Sequence, residues 1–217
     1  GLFMGRENGK GTFNPRNITR LNYDGSIDQS FNVGTGFSPS VYAITIQPDE
    51  KILIGGDFTT FNGIGCGHII RLNKDGTRDL KFKTLKSYDK IVFSIVLQPD
   101  GKIITSGRLE YLDYDRNKLV QRLHKDGSLD TTFQVGRRFT HDVWTVNLLD
   151  DGKILASGGV SVKDTMIWCV ATRLNADGST DTSFYLPKKS GERGTAFAFA
   201  LQKDGNIIIS GDFSNVG

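Results

Sequence analysis

An all-β repeat protein is what this sequence predicts, and three observations predict it. One motif recurs four times at a fixed spacing, a second runs in step with it, and the apolar residues between them alternate with the period of a strand. The first motif reads Arg20-Leu21-Asn22-Tyr23-Asp24-Gly25, Arg71-Leu72-Asn73-Lys74-Asp75-Gly76, Arg122-Leu123-His124-Lys125-Asp126-Gly127 and Arg173-Leu174-Asn175-Ala176-Asp177-Gly178, a period of 51 residues. Each copy continues in register to an Asp and a Phe: Asp28/Phe31, Asp79/Phe82, Asp130/Phe133 and Asp181/Phe184. The second motif, Gln47-Pro48-Asp49-Glu50-Lys51, keeps the spacing through Gln98–Lys102 and Leu149–Lys153, and its fourth copy, Gln202–Asn206, comes two residues late. The delay places an insertion between Phe184 and Phe197, where a loop absorbs it.

The first strand of each repeat lies over Val41–Ile46, Val92–Leu97, Val143–Leu148 and Ala196–Leu201. Alternate residues give it a bulky face (Tyr42/Ile44/Ile46, Phe93/Ile95/Leu97, Trp144/Val146/Leu148, Phe197/Phe199/Leu201) and a smaller one (Ala43/Thr45, Ser94/Val96, Thr145/Asn147, Ala198/Ala200). Such a strand suits stacking, the bulk of one unit filling the hollow of the next. An Asp-Gly hairpin turn follows, with Glu50 breaking the pattern in one copy; these turns need positive φ. The second strand covers 51–56, 102–107, 153–158 and 206–211. After a loop that differs between repeats, a third strand ends in Arg-Leu-Asn or Arg-Leu-His. A second Asp-Gly turn then leads to a short fourth strand near the Phe. Four antiparallel strands in about 50 residues make the blade of a β-propeller. A β-helix would use far shorter rungs, and a sandwich would not repeat so strictly.

The repeats divide the single propeller segment into a partial blade at 1–36, repeats at 37–87, 88–138 and 139–191, and a partial blade at 192–217. Residues 1–5 share the phase of 52–56 and 207–211, so the second strand is present at both ends. That duplication predicts a piece of a larger ring; a four-blade ring with a spare strand is the alternative.

At 217 residues and 37% hydrophobic content the chain can bury a core, and its net charge of +3 selects neither nucleic acid nor membrane as a partner. No apolar run has the length of a membrane-spanning helix. Cys66 and Cys169 fall in repeats two apart and read as free, buried small hydrophobes.

The paired motifs closely resemble the delta-sixty repeat family, with Ala171–Phe184 and Asp49–Phe58 the nearest matches. The resemblance covers essentially the whole chain. It implies a β-propeller of bacterial surface or secreted proteins or of bacteriophage virions, hence an extracellular, cell-surface or virion location, and it carries no catalytic residues or cofactor.

Alternating strands send the Asp-Gly turns to one end of the blades and the variable loops to the other. Binding resides where loops differ on a rigid scaffold. The blade-linking loops on that face carry Lys81, Lys83, Lys86, Lys90, Arg137, Arg138, Lys188, Lys189 and Arg193 against Asp89, Asp142 and Glu192. This basic arc suits an acidic partner or an anionic glycan, a solvated rim being the alternative. Tyr111 and Tyr114 are candidate aromatic contacts. Nucleic acid is disfavoured because aromatics do not interleave with the cations. The Asn-x-Asp-Gly-x-x-Asp spacing invites calcium, but hairpin turns already explain it. No nucleophile elbow, metal-spaced cluster or phosphate loop occurs, and the turn carboxylates are copied in every repeat, which predicts no catalysis. The expectation is a non-catalytic interaction module, joined to other protein chains in a phage tail, virion or bacterial surface assembly. A lectin-like domain for glycans or polyanions is the alternative, and a glycan-cleaving propeller the third reading.

Overall fold

A computed structural model describes residues 17–83, 90–109, 119–135, 139, 142–157, 160–162, 165–167, 170–184 and 194–213. Among these there is no helix of α type; the fold is an all-β propeller built from antiparallel sheets. In the first full repeat β1 (Phe37–Ser38) precedes β2 (Val41–Ile46) and β3 (Ile52–Gly56). A small hairpin, β4 (Thr60–Phe61) and β5 (Ile64–Gly65), leads to β6 (Ile69–Leu72). The blade sheet runs β2-β3-β6, and β1-β4-β5 form a separate small sheet beside it. The next blade is β7 (Lys90–Leu97), β8 (Ile103–Leu109) and β9 (Val120–Leu123). The third uses β10 (Val146–Leu148), β11 (Ile154–Ser157) and β14 (Ala171–Leu174), with the hairpin β12 (Val160–Val162) and β13 (Thr165–Ile167) inserted before its last strand. The pair β15 (Gly194–Leu201) and β16 (Ile207–Phe213) follows. The expected fourth strand shrinks to one bridge per repeat: Leu21 with Ile27, Leu72 with Arg78, Leu123 with Leu129 and Leu174 with Thr180.

The blades converge along their first strands. Thr45 Oγ1 donates to the Ile95 carbonyl at 2.9 Å, and Val146 N donates to Ser94 Oγ at 3.3 Å, so β2, β7 and β10 touch in turn. The bulk-into-hollow packing is present: Ile95 and Leu97 lie against Ala43, Leu53 and Ile69 of the preceding blade. The next interface joins Ile104 and Val120 to Val143, Val146 and Ile154. Burial of this apolar surface, at about 25 cal/mol per Å², drives the stacking. Ile44 and Ile46, on the face of β2 turned away from β7, are exposed.

The two recurrent motifs meet at the blade interfaces, which explains why they stay in step. Arg71 Nε and Lys51 Nζ both reach Asp79 Oδ2, at 2.8 Å each. Arg122 and Lys102 do the same at Asp130, and Arg173 and Lys153 at Asp181. Each guanidinium also lies over the Phe of its own copy: Arg71 over Phe82 at 4.9 Å, Arg122 over Phe133 at 4.8 Å. Its Nη1 then crosses to the following repeat. Arg20 donates to the Lys74 carbonyl, Arg71 to that of Lys125 and Arg122 to that of Ala176, at 2.6–2.7 Å. The backbone N–H of Asn32, Lys83 and Gln134 add bonds to the carbonyls of Asp75, Asp126 and Asp177. The repeated arginine is therefore a latch between blades. Removing one partner from a buried ion pair of this kind typically costs roughly 3–5 kcal/mol.

The carboxylate pKa values follow from this clasp. Burial alone would raise Asp79, but Lys51, the Lys81 N–H and Arg71 outweigh it and hold the acid down at about 2. Asp130 is also held well below its ordinary value: burial raises it, and the Thr132 hydroxyl, Lys102 and Arg122 overcome that. At Asp181 the Ser183 hydroxyl leads, followed by Lys153. The first Asp of each motif closes its own turn, Asp24, Asp75, Asp126 and Asp177 accepting from the Ser or Thr two residues on at 2.6–3.0 Å. Cys66 departs from expectation. It is only partly buried, at the edge of the Phe37–Phe58–Phe61 cluster, where burial pushes its thiol up to about 11 despite Arg78. Cys169 lies outside the described residues.

Candidate functional site

With the turn end of the blades closed on itself, the exposed chemistry gathers at the other end, where the first strands begin. There the ladder slips. Pairing between β2 and β3 shifts between Val41 and Ala43, between β7 and β8 at Val92/Ser94, and between β15 and β16 at Ala196/Ala198. Each slip is a β-bulge whose extra residue is aromatic: Tyr42, Phe93 and Phe197. In the third blade the ladder is open at the same place, and Ser157 Oγ accepts the N–H of Trp144 and Thr145 at 2.8 and 3.0 Å.

The bulge exists because the facing strand comes too close for a side chain. A Cβ on Gly56, Gly107 or Gly211 would run into the carbonyl oxygen of Ser40, Ile91 or Thr195. An extra residue also changes the faces. Val92, Val143 and Ala196, not the aromatics, join the core with Ile95 and Val146. The expected bulky face is thus corrected at its first position, and the rings are re-aimed along the converging edge.

The rings form a column. Tyr42 meets Phe93 edge-on (5.6 Å, 64°), Phe93 stacks parallel on Trp144 (4.6 Å, 5°), and Trp144 meets Phe197 edge-on (5.8 Å, 87°). Tyr42 and Phe197 are each 52% exposed and Trp144 36%. One ion pair stands beside it: Arg108 Nε lies 2.6 Å from Asp142 Oδ2, with the guanidinium carbon 5.7 Å from the Phe93 centroid and 5.8 Å from that of Trp144.

The basic arc fares differently from expectation. Lys81 is exposed. Lys83 is bound to the neighbouring repeat's Asp-Gly turn, its Nζ 2.7 Å from Asp126 Oδ2, and that contact is also what pulls the Asp126 carboxyl far down. Lys90 is no loop cation: it opens β7, is 1% exposed, and donates to the carbonyl and hydroxyl of Thr105. Burial lowers its pKa well below the ordinary value. Asp142, counted against the arc, pairs with Arg108. Lys86, Arg137, Arg138, Lys188, Lys189, Arg193, Tyr111 and Tyr114 lie outside the described residues. Reading by sequence missed the aromatic column, although a ring at 42, 93, 144 and 197 in step with Gly56, Gly107 and Gly211 was its signal.

A family model described as a beta-propeller domain of unknown function (DUF5122) matches residues 47–82, 98–133 and 171–184, the stretches that hold the two motifs. No curated protein matches the chain. Among solved structures, a gluconolactonase from Xanthomonas campestris superposes with a TM-score of 0.51 at 13% identity, covering 90% of this chain and 62% of its own. A protein from Bacteroides caccae aligns at 16% identity and TM-score 0.45, over 88% of this chain and 62% of its own. A virginiamycin B lyase from Staphylococcus aureus aligns at 16% identity and TM-score 0.44, over 78% and 48%. The chain thus spans less than two thirds of the length of these proteins. The comparisons define a class, the β-propellers. They also overturn one expectation: the gluconolactonase that shares this architecture is an enzyme, so turn carboxylates copied in each repeat do not exclude catalysis. The copied carboxylates hold blades together.

Proposed function

We propose that this propeller segment is an interaction module of a larger extracellular, cell-surface or virion assembly, engaging another protein chain through its variable loop end. One observation carries the reading. The Asp-Gly end repeats the same clasp and spends its carboxylates and arginines on itself, whereas the β4–β5 and β12–β13 hairpins, which differ from each other in sequence, rise from the variable connections. Ile64 on β5 is 63% exposed and Leu80 is 86% exposed; both flank a shallow cleft with Phe61, Asn62 and Arg78. Exposed apolar side chains beside a cation are the composition of a docking surface. The close resemblance of the motifs to delta-sixty repeats supports the extracellular setting, and Lys81, Lys86, Arg137, Arg138, Lys188, Lys189 and Arg193 would supply complementarity to an acidic partner.

Lysine cross-linking of the assembly isolated from its native source, read by mass spectrometry, tests this. Links to a second polypeptide should come from Lys81, Lys86, Lys188 and Lys189, while Lys74 and Lys125 on the Asp-Gly turns link only within the chain. Partner links concentrated on Lys74 and Lys125, or no link to any other polypeptide, would overturn the reading.

A further inference from the structure

The aromatic column has one step unlike the others. Rings recur in all four repeats, but only Phe93 and Trp144 stack parallel, and among the described residues only that step has a charged pair beside it. The repeat positions equivalent to Arg108 hold Asp57, Gly159 and Asp212, and those equivalent to Asp142 hold Ser40, Ile91 and Thr195. A latch serving every blade interface would recur, as Arg71, Arg122 and Arg173 do. The Arg108–Asp142 pair does not recur, and the Arg108 side chain is 47% exposed and that of Asp142 28%.

From this step we infer that the start of the inner strands binds a neutral saccharide. A pyranose offers an apolar C–H face and neighbouring hydroxyls that both donate and accept. The exposed part of the Trp144 ring, held between the Phe93 stack and the edge-on Phe197 ring, offers the apolar surface. Arg108 supplies guanidinium donors and Asp142 a carboxylate acceptor, side by side at the edge of the rings, which is the complement of two adjacent hydroxyls. The pair sums to zero charge, so it gives a polyanion no net attraction and leaves neutral sugars as the class that fits. The bulge fixes the platform, since a glycine-backed strand edge sets where Phe93 points. This inference goes beyond the assembly reading and does not depend on it, because no partner chain takes part.

The test is titration of the full chain with maltopentaose, cellopentaose and N-acetylchitotetraose, followed by calorimetry and by tryptophan fluorescence. Binding of at least one, with a Kd below about 5 mM and no change when salt is raised, is expected. Asp142→Asn, which keeps the shape and removes the charge, should weaken it at least tenfold, and Trp144→Ala should abolish it. Lys74→Gln, at the opposite end, should leave it unchanged. Thermal melting of Asp142→Asn separates lost binding from lost folding, and Arg108→Lys, which keeps the charge but not the fork, should also lose tenfold. No binding of any of the three sugars, binding indifferent to Asp142→Asn and Arg108→Lys, or binding only of a sulfated oligosaccharide with steep salt dependence would overturn the inference.

Discussion

At the scale of one residue, Glu50 shows a turn geometry overruling side-chain preference. Its equivalents are Gly101, Gly152 and Gly205, with φ of 79°, 80° and 87°, and Glu50 adopts 63° in the same turn. A residue with a Cβ meets strain in that region, roughly 1–2 kcal/mol, and the glycines avoid it. What Glu50 offers in return is an ion pair with Lys74 at 2.7 Å, in which both side chains are more than 60% exposed. Exposed pairs contribute about 0–1 kcal/mol, too little to offset the strain. Glu50→Gly should therefore stabilise the protein, by up to about 1 kcal/mol once the extra freedom of glycine in the unfolded chain is counted. A urea midpoint that stays put or falls would show that the ion pair outweighs the backbone.

At the scale of the element, the first strand is where sequence and structure part. The two-residue alternation located β2, β7 and β15, and the Asp-Gly pairs located their turns, because both signals are local and survive any packing. The bulge is not local. It depends on how closely the second strand approaches, and alternation by itself cannot mark an extra residue. Hence Tyr42, Phe93, Trp144 and Phe197 were legible as rings of a bulky face and not as a column. The Arg108–Asp142 pair was illegible for a simpler reason: its members are 34 residues apart and occupy positions that do not repeat. The element-level account makes its own prediction. Gly107→Ala would press a methyl group into the Ile91 carbonyl, and crowding of that kind costs roughly 1–3 kcal/mol. Gly65→Ala in β5 meets nothing within 4 Å and should cost far less. Equal losses in denaturant midpoint for the two variants would mean that the close approach does not shape the bulge.

Across the whole molecule, successive interfaces use one device, and it has a pH dependence whose sign can be worked out. Asp79 is held at about 2 in the folded state, below its ordinary value, and Asp130 and Asp181 are also lowered. The unfolded chain therefore takes up protons first as pH falls, so the stabilisation is complete above about pH 4 and is lost on the way down through the folded-state values. Because the three carboxylates sit in equivalent clasps along the array, each protonation loosens one more junction between blades. Denaturant midpoints should hold steady from about pH 5 down to about pH 4, below the histidine range, then fall toward pH 2. Salt should change this little, since Asp79 and Asp130 are almost wholly shielded from solvent. Asp130→Asn should flatten the decline while lowering the midpoint at pH 7, because Arg122 and Lys102 then lose their counter-charge. A midpoint indifferent to pH down to 2 would mean that the clasps contribute nothing to holding the blades together, and the latch account of the repeated arginine would fall with them.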